Sequence, residues 1–137
     1  MRVVLDSNIL ISALIVAGSI PARILDQWRR GAFLLLTCDA HLDELRRATR
    51  YPQVRSRVRS PVSGRLINEI GELAIRVEKL PQLERSIDPF DDYLLALAEA
   101  GGADYLVTGD KAHMLSLGKH RTTRIVAARD FAALLKI

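Results

Sequence analysis

The chain has 137 residues, of which 49% are apolar and 26% charged, the composition of a folded globular domain and not of a disordered or fibrous one. A lone cysteine, Cys38, excludes an internal disulfide framework, and no run approaches the roughly 18 apolar residues needed to cross a bilayer. Aromatic residues make up only 5%, so no stacking platform for bases is evident, while a formal charge of +4 directs attention to anionic partners.

Val3-Val4-Leu5 reads as a first buried strand. The apolar stretch Ile9 to Ala17 could imitate a signal peptide, but Asp6, Ser7 and Asn8 precede it and no small-x-small cleavage site follows, so a cytoplasmic protein is expected. Ser19-Ile20-Pro21 predicts a helix start, with Ile24, Leu25 and Trp28 on its buried side and Gly31 ending it. Phe33 to Leu36 reads as a second strand, followed by Cys38 as a buried, reduced thiol. Asp39 is placed to cap a helix carrying Leu42 and Leu45, which Tyr51-Pro52 should end. Gln53 to Ser63 reads as the one long irregular stretch, a candidate flap. A helix is predicted from about Gly64 to Val77, and another over Leu94 to Ala100 closed by Gly101-Gly102. Tyr105-Leu106-Val107 and Ile125-Val126-Ala127 read as strands, and Asp130 to Lys136 as a last helix. Strands of nearly continuous apolar character alternating with helices imply a mainly parallel sheet covered on both faces, a three-layer α/β/α sandwich, with residues 1–137 as one domain.

Between Glu44 and Glu69 there is no acid, yet Arg46, Arg47, Arg50, Arg55, Arg57, Arg59 and Arg65 all fall there. Guanidinium forks suit phosphate, so nucleic acid is the leading polyanion, with Arg50, Arg55, Arg57 and Arg59 as candidate backbone contacts. In parallel sheets ligands bind beyond the carboxyl ends of the strands. Asp6 and Asp110 each close an apolar run, and if both strands are central their carboxylates emerge at one edge. Glu44 lies on a helix between Ala40 and Ala48. The segment Asp88-Pro89-Phe90-Asp91-Asp92 opens another helix. Each acid alone could be a helix cap or a surface residue. Packed together, such carboxylates would repel unless cations compensated, and Mg²⁺ or Mn²⁺ with oxygen ligands fills that role in phosphodiester hydrolysis.

The order of these pieces resembles a PIN domain over nearly the whole chain: Val4-Leu5-Asp6-Ser7-Asn8-Ile9-Leu10, a mid-chain helical Glu44, an acid-rich turn before Tyr93-Leu94-Leu95-Ala96-Leu97-Ala98, and Leu106-Val107-Thr108-Gly109-Asp110. The likeness is greatest to small stand-alone prokaryotic PIN proteins of the VapC toxin type. It implies that Asp6, Glu44, one of Asp91 and Asp92, and Asp110 ligate Mg²⁺ or Mn²⁺, and that Asn8 and Thr108 orient the first and last aspartates. Spacing back from Asp110 favours Asp92 as the third acid, whereas the Asp-Pro-x-Asp pattern favours Asp91. Asp91 is preferred, with Asp92 as a possible further ligand and Asp88 behind both. The resemblance further implies endoribonuclease activity, a homodimer and a cognate antitoxin, to which the arginine-rich stretch could bind as readily as to RNA.

Other readings fit less well. A haloacid dehalogenase phosphatase wants a second Asp where Asn8 stands, and a response-regulator receiver needs an acid pair that is missing. A metal-free ribonuclease built on His41, His113 and His120 is set aside because each histidine reads as a surface residue or a helix-end cation. A non-catalytic RNA-binding module on the same fold, or an RNA-processing nuclease outside any toxin pair, would share every feature above. Only cleavage assays and neighbouring genes separate those two from the toxin reading.

Overall fold

The computed structural model describes residues 1–85, 91–109 and 112–137. Six strands form one sheet: β1 (Arg2–Leu5), β2 (Leu34–Thr37), β3 (Ile75–Arg76), β4 (Tyr105–Thr108), β5 (Lys119–His120) and β6 (Thr123–Ala127). Their order is β3-β2-β1-β4-β6-β5, and every pairing is parallel except that of the short edge strand β5 with β6. After β3 the chain returns to the other side of β1. The strand order therefore reverses between β1 and β4, the position at which open parallel sheets leave a crevice at their carboxyl edge.

The helices between them are α1 (Ser7–Ile15), α2 (Ile20–Arg29), α3 (Asp39–Ala48), α4 (Pro52–Arg55), α5 (Ser60–Leu73), α6 (Asp92–Gly101), α7 (Ala112–Leu115) and α8 (Ala128–Leu135). Alternation along the strands divides the core in two. Val3, Leu5, Leu35 and Val107 face a cluster with Ile24, Trp28, Leu42, Leu45, Ile70 and Phe131, which belongs to α2, α3, α5 and α8. Val4, Leu36 and Leu106 face the opposite way, onto Leu94, Leu95, Leu97 and Ala98 of α6 and Met114 of α7. Both faces of the sheet are thus covered, as a three-layer α/β/α sandwich requires. No single helix among the described residues is long and apolar enough to cross a membrane.

Local signals explain most boundaries. Ser19 caps α2 by accepting from the Ala22 amide at 3.3 Å, and Gly102 ends α6 in the left-handed conformation at φ 64°. At Gly101 the reason is steric, since a Cβ would stand 2.6 Å from Leu36 Cδ1. A larger residue there would have to displace the Leu36 side chain packed between α6 and β2.

Several expectations need correction. Gln53 to Ser63 is not irregular: Pro52 starts α4, α5 begins at Ser60, and only residues 56–59 lie between. Val54 and Val58, four residues apart and both buried, pin this segment to the core, so it is no loose flap. The following helix runs Ser60–Leu73 and stops before β3, a strand too short and too mixed in character to be read from the sequence. Asp39 sits inside the first turn of α3, where Cys38 holds the capping position without a side-chain bond. His41 and His120 are buried, not surface residues.

A candidate metal centre at the carboxyl ends of β1 and β4

The registers Val3↔Tyr105, Val4↔Leu106 and Leu5↔Val107 bring β1 and β4 level at their carboxyl ends. The ladder continues one residue further, with the Asp6 amide donating to the Val107 carbonyl at 2.9 Å. Asp6 is fully buried. It stands where an N-cap residue of α1 would, yet its side chain makes no capping bond. The carboxylate instead accepts from the buried Thr108 hydroxyl, 2.8 Å from Oδ2. This excludes the simplest structural role for Asp6, that of a helix cap, and makes Thr108 its orienting neighbour.

Glu44 arrives from α3 half-buried, and its Oε1 accepts from the Ser7 hydroxyl. Ser7 Oγ also lies 3.4 Å from Asp6 Oδ1, so one hydroxyl stands between the two carboxylates. Arg47, one turn along α3, is exposed and forms no ion pair with Glu44. Asn8 packs beside Gly109, where a Cβ would come within 3.1 Å of the amide nitrogen, and its Oδ1 is buried with no partner among the described residues.

Three neighbours of this pair were not anticipated. Ser7 is the first. His41, fully buried one turn before Glu44, shares a 3.0 Å hydrogen bond through Nδ1 with Thr37 Oγ1 at the end of β2, while its Nε2 has no partner among the described residues. Burial pushes the imidazole below its ordinary pKa of 6.5, and the charges of Asp6 and Glu44 oppose the shift without cancelling it. Tyr93 of α6, tilted against His41 at a centroid distance of 6.2 Å, completes the wall. Burial first, and then the neighbouring Glu44, push its phenol upward. The spacing His41-x-x-Glu44, which places both side chains on one helical face, was the available signal for the histidine.

The acid-rich turn divides. Asp91, 4% exposed at the start of α6, makes no capping bond, and its Oδ2 meets His113 Nε2 at 2.9 Å. Asp92 Oδ1 accepts from the Arg85 backbone amide at 3.2 Å, tying the preceding segment to the helix. Asp88 and Asp110 lie outside the described residues. Among the described residues, no three His, Cys, Asp or Glu side chains form a group able to hold a metal ion. What is assembled is an acid pair with its hydroxyl donors. The arginines are elsewhere: Arg50, Arg55, Arg57 and Arg59 are exposed at the end of α3 and around α4.

A family model for the PIN domain matches residues 2–112. The chain belongs to the PIN-domain family. No curated protein and no solved structure matches it. The match runs from β1 to the start of α7 and therefore contains every acid considered above. PIN domains are in general nucleases that need divalent metal, and the pair formed by buried Asp6 and half-buried Glu44 lies at the switch point of this PIN domain.

Proposed function

We propose that this PIN domain, taken as a unit spanning residues 1–137, is an endoribonuclease dependent on Mg²⁺ or Mn²⁺. In this reading Asp6, Glu44, Asp91 and Asp110 hold the cation, Asn8 and Thr108 orient the outer aspartates, and Arg50, Arg55, Arg57 and Arg59 meet the RNA backbone. The single observation that carries it is the convergence of Asp6 and Glu44 on the Ser7 hydroxyl at the ends of β1 and β4. Asp91 is preferred as the third acid because it is buried at the N-terminal end of α6 and fits the Asp-Pro-x-Asp pattern. Asp92, with one oxygen on the Arg85 amide, is the alternative or an additional ligand.

The donor set fits a hard divalent cation. Its members are carboxylate, hydroxyl and amide oxygens, and the buried Asn8 Oδ1 has no partner among the described residues. When bound, such a cation neutralises charge on the scissile phosphate and lowers the pKa of an attacking water. The chain's own residues hold the geometry. Thr108 donates to one Asp6 oxygen and Ser7 stands at the other, so the carboxylate is fixed before substrate arrives. Glu44 is restrained by the same serine, and the packed rings of Tyr93 and His41 lie beside the pair.

The proposed cellular role is that of the toxin in a type II toxin–antitoxin pair, acting as a homodimer and restrained by a cognate antitoxin. The test is RNA cleavage by the parent and by Asp6→Asn with Mg²⁺ or Mn²⁺. Asparagine keeps the shape but removes a charge from the site, so cleavage should fall by at least ~10² while the fold is retained. Equal rates in the two proteins, or full cleavage in EDTA, would overturn the metal mechanism.

A further inference from the structure

Away from the acid pair, the end of α3, the short α4 and the start of α5 enclose a cavity of about 270 Å³. Arg46, Arg50 and Arg55 line it together with Ser60, Ser63 and Asn68, and no carboxylate is among its lining residues. Arg46 is partly engaged with Asp43 at 2.9 Å, and Arg55 Nη2 donates to Ser60 Oγ at 3.2 Å. Arg50 has no ion-pair partner among the described residues. Ser63 is 5% exposed, and its hydroxyl is buried with no hydrogen-bond partner among the described residues. An unmet buried hydroxyl at the wall of an arginine-lined cavity is the polar deficit that an incoming oxygen would satisfy. The positive end of the α5 dipole points the same way.

We propose that this cavity is a phosphate-binding site that seats one backbone phosphate of the bound RNA, away from the bond that is cut. Three guanidinium forks and several hydroxyl and amide donors match the multiple oxygens of a phosphate better than the two of a carboxylate. The same helix joins the two sites. Glu44 precedes Thr49, at the end of α3, by about 7.5 Å along the helix axis, and the two sites lie on different faces of that helix, so a bound strand would have to wrap around α3 to reach both. The inference rests on the nuclease reading and refines it. Of the four arginines proposed as backbone contacts, Arg50 and Arg55 belong to a formed site, whereas Arg57 and Arg59 do not line it.

Two probes test it, both on the Asp6→Asn background so that no cleavage intervenes. With inorganic phosphate, the melting temperature should rise for this protein and stay flat when Arg50→Gln and Arg55→Gln are added. Acetate at equal ionic strength should have no such effect. Arg50→Lys with Arg55→Lys keeps the charge and should restore part of the response. Ser63→Ala should weaken it without lowering the melting temperature in the absence of phosphate, because an unmet hydroxyl is removed. With single-stranded RNA, the Gln pair should flatten the log–log salt dependence of affinity by about 0.7 per lost phosphate contact, and Arg57→Gln with Arg59→Gln should flatten it less. A phosphate response unchanged by the Gln pair would overturn the site. A phosphate response lost with the RNA slope intact would overturn the assignment to the strand and leave a site for free phosphate. An acetate response equal to that of phosphate would point instead to an acidic protein partner and overturn it too. Failure of the nuclease reading is a separate outcome, read from metal-dependent cleavage by the parent.

Discussion

The acidic edge of the sheet and the arginine-rich shoulder formed by α3, α4 and α5 place their charges by opposite means. At the edge, Asp6 and Thr108 are fully buried, and strand register fixes their separation. At the shoulder, the charges are exposed and only their stems and neighbours are anchored, through Val54 and Val58. The contrast teaches that this molecule holds its acids rigidly, at the cost of desolvating them, and leaves most of its cations solvated. Buried charges of that kind are tolerated where partners or bound cations compensate. Exposed guanidiniums need no such compensation and act through binding and its dependence on salt.

The rigid half of the comparison is broken most directly at Gly101. A methyl group there would meet Leu36 Cδ1 at 2.6 Å and Val77 Cγ2 at 3.2 Å, so in Gly101→Ala the Leu36 and Val77 side chains, or α6 itself, must shift. Overpacking of this sort costs about 1–3 kcal/mol. Denaturant titration should report that loss. Because α6 carries Tyr93 and Asp91 immediately precedes it, metal-dependent activity should fall with it. Stability equal to that of the parent would mean that the helix has slack and that the edge is less fixed than described.

A smaller effect should appear with pH. His41 is buried with its pKa held below 6.5, chiefly by burial, against the pull of Asp6 and Glu44. The unfolded chain takes up that proton near pH 6.5 and the folded one does not. Stability is therefore fully present above that value and is lost as pH falls through it, by up to about 1.4 kcal/mol per pH unit. His41→Asn should have a shallower slope between pH 7 and 5.5 in urea titrations. Parallel slopes for the two proteins would assign the acid sensitivity to other groups.

The two regions also differed in how far the sequence revealed them. Asp6 was legible because an acid directly after an apolar strand has few other places to go, and Glu44 because its helix was clear from Leu42 and Leu45. The contacts of Ser7, His41 and Tyr93 were not, since each arises from the tertiary approach of α1, α3 and α6 and leaves no periodic trace. The shoulder was misread in the other direction. Arginines and serines around Gln53 to Ser63 masked the i, i+4 pair Val54 and Val58, and with it two helix boundaries. The choice between Asp91 and Asp92 turned on a one-residue offset that spacing could not resolve. The two differ in their described contacts, with His113 on Asp91 and the Arg85 amide on Asp92.

The central claim is that Asp6 and Glu44 are held together as part of a divalent-cation site. Thermal melting against Mn²⁺ or Mg²⁺ concentration tests it without any substrate, in the parent and in Asp6→Asn and Glu44→Gln variants. Relief of repulsion and metal binding to the folded state alone should raise the parent's stability by about 2.7 kcal/mol at a hundredfold excess over Kd. Both variants should respond far less, and the Arg50→Gln with Arg55→Gln protein should respond as the parent does. A parent indifferent to millimolar metal, or variants that respond equally, would contradict the account.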